Sequence, residues 1–361
     1  MKTKEANDTL YNVGPLLGLV SGIDAPAWLR IALVYDYSIE HTTGQYVRKA
    51  LEKRSNVTVF HPKELQKLEE HFDLYLAVDD GSHYIFPRRL KPSALWLIDT
   101  HLTLRFDTIM ALNFEYIFTA QKLGAQKLLA CGFSNVYWLP LACDPATHGQ
   151  VNAQKTYDIG FVGNLRADDR FQFLRDIKNR YRNSYIDKAK HYDMAGIYSQ
   201  SKIVLNRSIK NDLNMRVFEG LCSGSLLLTD AVGNIEELFE NGEHLIMYRS
   251  DEEAFKKIDL ILGNAVDVDD IAKKGCERVN KYHTYDNRVI AILDTVESVK
   301  AKKNSLKFVL NLISKTEAFQ KLLLRFYPNL LFMYWLDVPA SKALFFRKLT
   351  EVKHKMTFQK D

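Results

Sequence analysis

The sequence predicts an α/β fold: two Rossmann-like halves facing each other across a central cleft, with a helical extension at the C-terminus. Three observations carry this. From Arg30 onward, short apolar runs recur, each followed by polar residues and a helical pattern, as buried parallel strands are. The pattern breaks at the polar stretch PATHGQVNAQK (145–155) and restarts at Tyr157. The chain has 361 residues, 47% hydrophobic and 26% charged, enough for two ordinary domains with real cores and far from the composition of a disordered chain.

In order, the first half reads RIALVYDY (30–37) as a strand, the loop SIEHTTG, and QYVRKALEKR (45–54) as a helix. VTVF (57–60), LYLAVDD (74–80), ALWLID (94–99), YIFTA (116–120) and VYWLP (136–140) are further strands. The second half offers YDIGFVGNL (157–165), KIVLN (202–206), SLLLTD (225–230) and LIMY (245–248). MRVFEGLCS (215–223) and DEEAFKKIDLIL (251–262) have helical spacing. Beyond residue 285 the pattern is helical throughout, with two basic amphipathic stretches (305–324 and 341–354) around FYPNLLFMYWLDVP. The predicted division is an N-terminal extension over 1–29, a first Rossmann-like domain over 30–150 and a second over 151–285. A crossover helix and basic tail follow over 286–361.

The net charge of +5 is unevenly placed. The residues from Ala301 to the end hold twelve Lys and Arg against four Asp and Glu, so the body before them is slightly acidic. An acidic body argues against nucleic acid as a partner. The four cysteines form no C-x-x-C pair and suit a reduced compartment. The N-terminal apolar run contains Gly14, Pro15 and Gly18 and lacks a signal-peptide pattern, and no run approaches the roughly 20 apolar residues of a bilayer span. The expectation is a cytoplasmic protein, either soluble or peripheral at the inner face of the membrane.

Ligands of doubly wound sheets bind beyond the carboxyl ends of the strands, so those ends are where chemistry is sought. HTTG (His41, Thr42, Thr43, Gly44) offers hydroxyls, an imidazole and a helix start to a phosphate or an acceptor, or is simply an N-cap and a turn. IDTHL places Asp99 and His101 two apart at a strand end, where they can orient a substrate or move a proton, or merely satisfy a loop. VDDG (78–81) reads better as a turn cap. NRSIKNDLNMRVFEG (206–220) is the longest constellation. Arg207, Lys210 and Arg216, with the helix start at Asn214 and Met215, would hold a diphosphate. Glu219 would accept hydrogen bonds from ribose hydroxyls, and Asn164 in FVGN would lie beside it. There is no G-x-G-x-x-G after a strand and no P-loop, which weakens dehydrogenase and NTPase readings. DVD (267–269) falls in a polar inter-helix stretch and reads as a solvated helix start. The ten histidines show no ligand spacing, so no structural metal is expected.

NDLNMRVFEGLCSGSLLLTD, GNIEELFENGEHLIMYRSDEEAFKKI and IAKKGCERVNKYHTYDNR resemble the C-terminal half of CgeB-like, spore-maturation-type glycosyltransferases of the GT-B fold. VYDYSIEHTTG, VDDGSHYIFP, IDTHL, WLPLACDP and YDIGFVGNL are similar to the N-terminal half and hinge of the same family. The resemblance implies a nucleotide-sugar donor of UDP, GDP or dTDP type on the second domain, with a saccharide, lipid-linked or protein acceptor approaching the first. It implies ribose binding by Glu219, and a diphosphate at the helix opened by Asn214, Met215 and Arg216, with Arg207 as a phosphate cation. By the same likeness Tyr198 falls near the nucleobase-side wall, His101 contacts the transferred sugar, and the HTTG loop covers the phosphates. One departure stands out: GT-B enzymes often carry a second glutamate eight residues before Glu219, and here that position is Asn211, with Asp212 beside it.

The expected activity is metal-independent hexosyl or deoxyhexosyl transfer in cell-surface glycan synthesis. His101, with Asp99 near it, would position the sugar or act as base, and no cofactor beyond the donor is expected. A GT-B nucleotide-sugar epimerase and a non-catalytic nucleotide-sugar-binding module are the alternatives. For the basic tail, packing on the first domain, docking on an anionic membrane and self-association all stay open.

Overall fold

The computed structural model describes residues 14–16, 29–69, 71–82, 84–165, 170–264 and 268–299. The tail helices expected at 305–324 and 341–354, the aromatic stretch between them and most of the N-terminal extension lie outside the described residues, as does Asp267 of DVD.

The first half runs β1 (Arg30–Val34), α1 (Thr43–Glu52), β2 (Asn56–Phe60), a 3-10 turn (Pro62–Lys67), β3 (Leu74–Val78), β4 (Ser93–Leu97) and α2 (Thr100–Ala111). It continues through β5 (Tyr116–Thr119), α3 (Lys122–Ala130), β6 (Val136–Trp138) and a single turn, α4 (Pro145–His148). The second half is β7 (Tyr157–Val162), α5 (Arg170–Arg180), β8 (Ser184–Asp187), α6 (His191–Ser199), β9 (Ser201–Asn206), α7 (Met215–Cys222) and β10 (Leu226–Asp230). A 3-10 turn (Ile235–Glu237), β11 (Ile246–Tyr248), α8 (Asp251–Leu262), α9 (Val268–Tyr282) and α10 (Tyr285–Ser298) complete it.

Every strand pair is parallel. The sheet orders are β2-β1-β3-β4-β5-β6 and β11-β10-β9-β7-β8. Both start in the middle, place the second strand on one side and build outward on the other. Each sheet therefore has a topological switch point, between β1 and β3 in the first half and between β7 and β9 in the second. Residues of β3, β4 and β5 are buried on both faces, which is why their sequences are continuous apolar runs. The expected strands are present, trimmed by one to three residues where polar residues end the runs. The sequence reading had no counterpart for β8, SYID, an edge strand that pairs with β7 alone. With one neighbour and polar residues, it lacks the apolar signature of a central strand.

The halves are strapped together where the chain crosses between them. Arg288 of α10 is fully buried and donates to the carbonyls of Pro140 (2.6 Å), Leu141 (2.9 Å) and Tyr282 (3.1 Å). It thereby ties the outgoing segment to the returning one; a buried guanidinium is tolerated because its donors are used. From there α10 lies against α1 of the first half, with Lys53 bonded to Asp286 at 2.7 Å and the Tyr116 hydroxyl donating to the Val299 carbonyl at 2.6 Å. Among the described residues, no helix is long and apolar enough to cross a membrane. Asp269 sits in the first turn of α9.

Candidate active site between the halves

The second switch point is spanned by one side chain. Arg216, one residue into α7, donates through Nε to the Val162 carbonyl at the end of β7 (3.1 Å) and through Nη1 to Asn206 Oδ1 at the end of β9 (2.9 Å). Its guanidinium lies 4.3 Å from the centre of the Phe161 ring. A Cβ at residue 163 would run into that guanidinium, so glycine is the residue that lets the cation sit there. At the start of α7, Asn214 is the N-cap but makes no side-chain cap, and its Oδ1 is buried without a partner. The uncapped amides and Arg216 together concentrate positive potential beyond the strand ends.

Glu219, one turn further along α7, is 6% exposed. Burial pushes its carboxyl up to about 7, with Arg216 opposing the shift. Its Oε1 stands 3.7 Å from His148 Nε2, too far for a hydrogen bond. The His148 Nδ1 accepts from the Asp144 amide (3.0 Å), so in the neutral ring Nε2 carries the hydrogen and turns it to the Tyr46 hydroxyl at 3.1 Å. Tyr46 in turn bonds to His191 Nε2. Burial holds His148 down at about 3 and His191 at about 4, so this chain of groups is neutral at physiological pH. It joins α1 and α4 of the first half to α6 of the second.

The HTTG loop reaches the same seam. His41, in left-handed backbone (φ 59°), stacks on His191 with ring centres 4.0 Å apart. Thr42 caps α1 without a side-chain bond, and its buried Oγ1 has no partner. Thr43 is buried and bonds to Tyr285. The Tyr285 hydroxyl also lies 3.0 Å from the Met215 sulfur, which brings the loop to the start of α7. Gly44 packs flat on the Tyr35 ring, where a side chain would not fit.

His101, in the first turn of α2, faces the second half. Its Nδ1 is buried, makes no hydrogen bond and lies 3.7 Å from Asp212 Oδ1. Asp212 accepts from Gln121 Nε2 at 2.9 Å, so residues of both halves meet here. Asp99 caps α2 with no side-chain bond. Burial raises it to about 6, with His101 opposing and Asp79 and Asp212 reinforcing. The carboxylate that stands within contact of His101 is therefore Asp212, across the seam. Asp79 and Asp80 cap their loop as expected, accepting from the amides of Gly81 and Ser82, both at 2.9 Å.

Two expected site residues do not face the cleft. Arg207 follows Asn206 on β9, and strand alternation sends its side chain to the opposite face. There it pairs with Asp251 at 2.8 Å and covers Phe173 at 4.9 Å, so it is committed to packing rather than free for phosphate. Tyr198 is 1% exposed and points its hydroxyl at the Val162 carbonyl (3.4 Å), a core residue beneath the site and no part of its wall. The Asn164 carbonyl accepts from Arg170 (2.6 Å) just past β7. Lys210, left-handed at φ 50°, lines a cavity of about 340 Å³ with Thr100, His101, Arg105, Gln121 and Lys127. Sequence reasoning missed Tyr46, His148, His191, Tyr285, Gln121, Arg105 and Lys127. The first four come from four separate elements, and no spacing joins them.

Residues 148–294 match a family model described as glycosyl transferase-like. No curated protein matches the chain by sequence. Among solved structures, Anabaena HepE in complex with UDP and glucose is similar over 75% of this chain and 100% of its own, at 11% identity and a TM-score of 0.56. Sucrose-phosphate synthase from Thermosynechococcus elongatus is similar over 74% of this chain and 98% of its own, at 10% identity and 0.55. T4 phage BGT in complex with its UDP-glucose substrate is similar over 75% and 100%, at 10% identity and 0.50. The two parallel sheets with their alternating helices are those of the GT-B fold, and residues 148–294 resemble glycosyl transferase-like proteins.

Proposed function

We propose that the protein transfers a sugar from a UDP-type nucleotide donor, without a metal, to an acceptor held by the first half. The observation that carries this is Glu219: a buried carboxyl on α7 that accepts no side-chain hydrogen bond among the described residues, one turn from a cation spanning the switch point. An unpartnered buried carboxyl costs free energy that two ribose hydroxyls would recover. Arg216 and the open start of α7 then face the diphosphate, and stabilise it as negative charge grows on departure. That positive charge is what supports a metal-independent reading.

In the transfer step, the acceptor oxygen forms a bond to the anomeric carbon while the bond from that carbon to the diphosphate oxygen breaks. The bonding pair leaves with the nucleoside diphosphate, and His101 takes the hydroxyl proton. Asp212 stabilises the resulting imidazolium from the other half, and Asp99 stands behind it. Because His101 and Asp212 belong to different halves, the pair is complete only when the cleft is closed, which also limits hydrolysis of the donor. The hexosyl or deoxyhexosyl class, a cytoplasmic glycan-building role, the spore-maturation-type subfamily and contacts through the basic tail complete the reading, supported by the sequence motifs.

Calorimetry with UDP-glucose tests it. Saturable binding is expected in the wild type, and strongly weakened binding in Glu219→Ala. Equal affinity in both overturns the assignment of the ribose site. Product analysis with donor alone then separates transfer and slow hydrolysis from isomerisation of the donor, or from binding without turnover.

A further inference from the structure

A groove of about 530 Å³ lies outside the cleft, where α1 meets the edge of the first sheet at β2. Gln45, Arg48, Lys49 and Glu52 line it from α1, the i, i+3, i+4, i+7 stripe that a helix turns to one side. The rest of the lining comes from Val59 on β2 and from Tyr35 and Tyr37, just beyond β1. Each cation of the groove already has a carboxylate partner. Arg48 bonds to Glu52 at 2.6 Å and also to the Tyr35 hydroxyl. Lys49 bonds to Asp144 at 3.3 Å and to the Thr147 hydroxyl at 3.2 Å. An ionic ligand would therefore meet no unmatched charge. Tyr37 is 47% exposed, yet its position is fixed: its ring stands edge-on to His61 at 5.5 Å, and its hydroxyl donates to Glu64 at 3.4 Å.

We infer that this groove binds an uncharged saccharide, and that it holds sugar units of the acceptor other than the one that reacts. The acceptor role rests on the transferase reading of the cleft; the saccharide site does not. A sugar ring presents a face of C–H groups and a rim of hydroxyls. The face packs on an aromatic platform such as Tyr37, and a ring held in place loses little freedom on binding. The rim needs donors and acceptors side by side, which the Arg48–Glu52 pair and the Gln45 amide supply. Exposed ion pairs hold each other weakly, so hydroxyls can take bonds from both members. Two links run from the groove to the seam. Gln45 Oε1 accepts from the His41 amide at 3.2 Å, and His41 stacks on His191 of the second half. Lys49 holds Asp144, whose amide donates to His148. In the sheet order, β1 and β2 stand two and three strand spacings from β4, which ends beside His101; this is about 10 to 15 Å. One ring is too short for that span, so the acceptor is an oligosaccharide laid along the carboxyl edge of the first sheet.

The test titrates maltotriose, cellotriose, chitotriose, glucose and glucose 6-phosphate into the full chain without donor, followed by ligand-observed NMR. At least one trisaccharide binds about ten-fold or more tightly than glucose, and the phosphate gives glucose no advantage. Tyr37→Ala weakens that trisaccharide about ten-fold and Glu52→Gln about three-fold, while both leave the affinity for UDP unchanged. Phe171→Ala, which removes a similarly exposed ring on α5 of the other half, has no effect. Circular dichroism melts verify that the variants fold. No binding of any trisaccharide, binding no tighter than that of glucose, a preference for the charged probe, or indifference to Tyr37→Ala overturns the saccharide site. With UDP-glucose added, the bound trisaccharide is glycosylated, and Tyr37→Ala raises its KM and leaves kcat unchanged. A trisaccharide held at Tyr37 that never receives glucose overturns the acceptor role. Failure of the wild type to bind UDP-glucose would instead strike the transferase reading, while the saccharide titrations still decide the groove.

Discussion

The two switch points share one topology and carry opposite charge. Between β7 and β9 stands Arg216, bonded to both strand ends with Gly163 cleared beneath it. Between β1 and β3 stand Asp36 and Asp80: the Asp80 carboxylate takes the Asp36 amide, and Asp36 lies 3.1 Å from His61 Nε2. The Ser38 hydroxyl is the chief cause holding Asp36 below the usual carboxylate range, so Asp36 stays anionic. A parallel sheet offers a crevice at each switch point whatever its sequence; charge decides which one receives a diphosphate. On the proposed function the donor therefore belongs to the second half, and the first half is left to hold the acceptor.

The largest expected effect breaks this contrast directly. Arg216→Ala lowers UDP-glucose affinity about a hundred-fold in calorimetry, whereas Asp36→Asn changes it by about two-fold or less. Equal losses in the two variants would erase the distinction between the switch points. Gly163→Ala comes next: its methyl group displaces the guanidinium and costs about ten-fold in affinity, and the strained backbone at φ 156° lowers the melting temperature as well.

Glu219 adds a pH signature. Its carboxyl sits at about 7 in the free protein, and ribose hydroxyls need the ionised form. UDP-glucose affinity therefore rises as pH increases through 7 and levels off above it, and Glu219→Gln removes that slope. The stability sign runs the other way. A carboxyl whose folded pKa is raised makes the fold lose stability as pH climbs from the ordinary 4.5 to about 7. Glu219→Gln therefore melts higher than the wild type at pH 8 and near it at pH 4. The smallest effect on binding belongs to Arg207→Ala, at about two-fold or less. Its cost appears in urea unfolding instead, about 1 kcal/mol from the lost Asp251 pair and Phe173 contact.

The sequence made the sheets legible because strands such as LYLAV and SALWL are buried on both faces and must be apolar throughout. SYID escaped because an edge strand needs no such run. Residues sharing one helix were also legible: Asn214, Met215, Arg216 and Glu219 follow from the spacing of a single motif. Arg207 and Arg216 look equivalent in a string of letters, and only the direction in which each leaves the sheet tells them apart. The Tyr46–His148–His191 chain and the His101–Asp212 approach join residues from opposite halves, so they emerge only once the halves are packed. The cavity beside His101 is assembled from three segments for the same reason.

The most direct test of the account is a crystal structure of the protein with UDP bound. The diphosphate is expected within hydrogen-bonding distance of Arg216 and the first amides of α7, with the ribose hydroxyls on Glu219. A diphosphate seated instead at Arg105 and Lys127, or against Asp36 and Asp80, would contradict it.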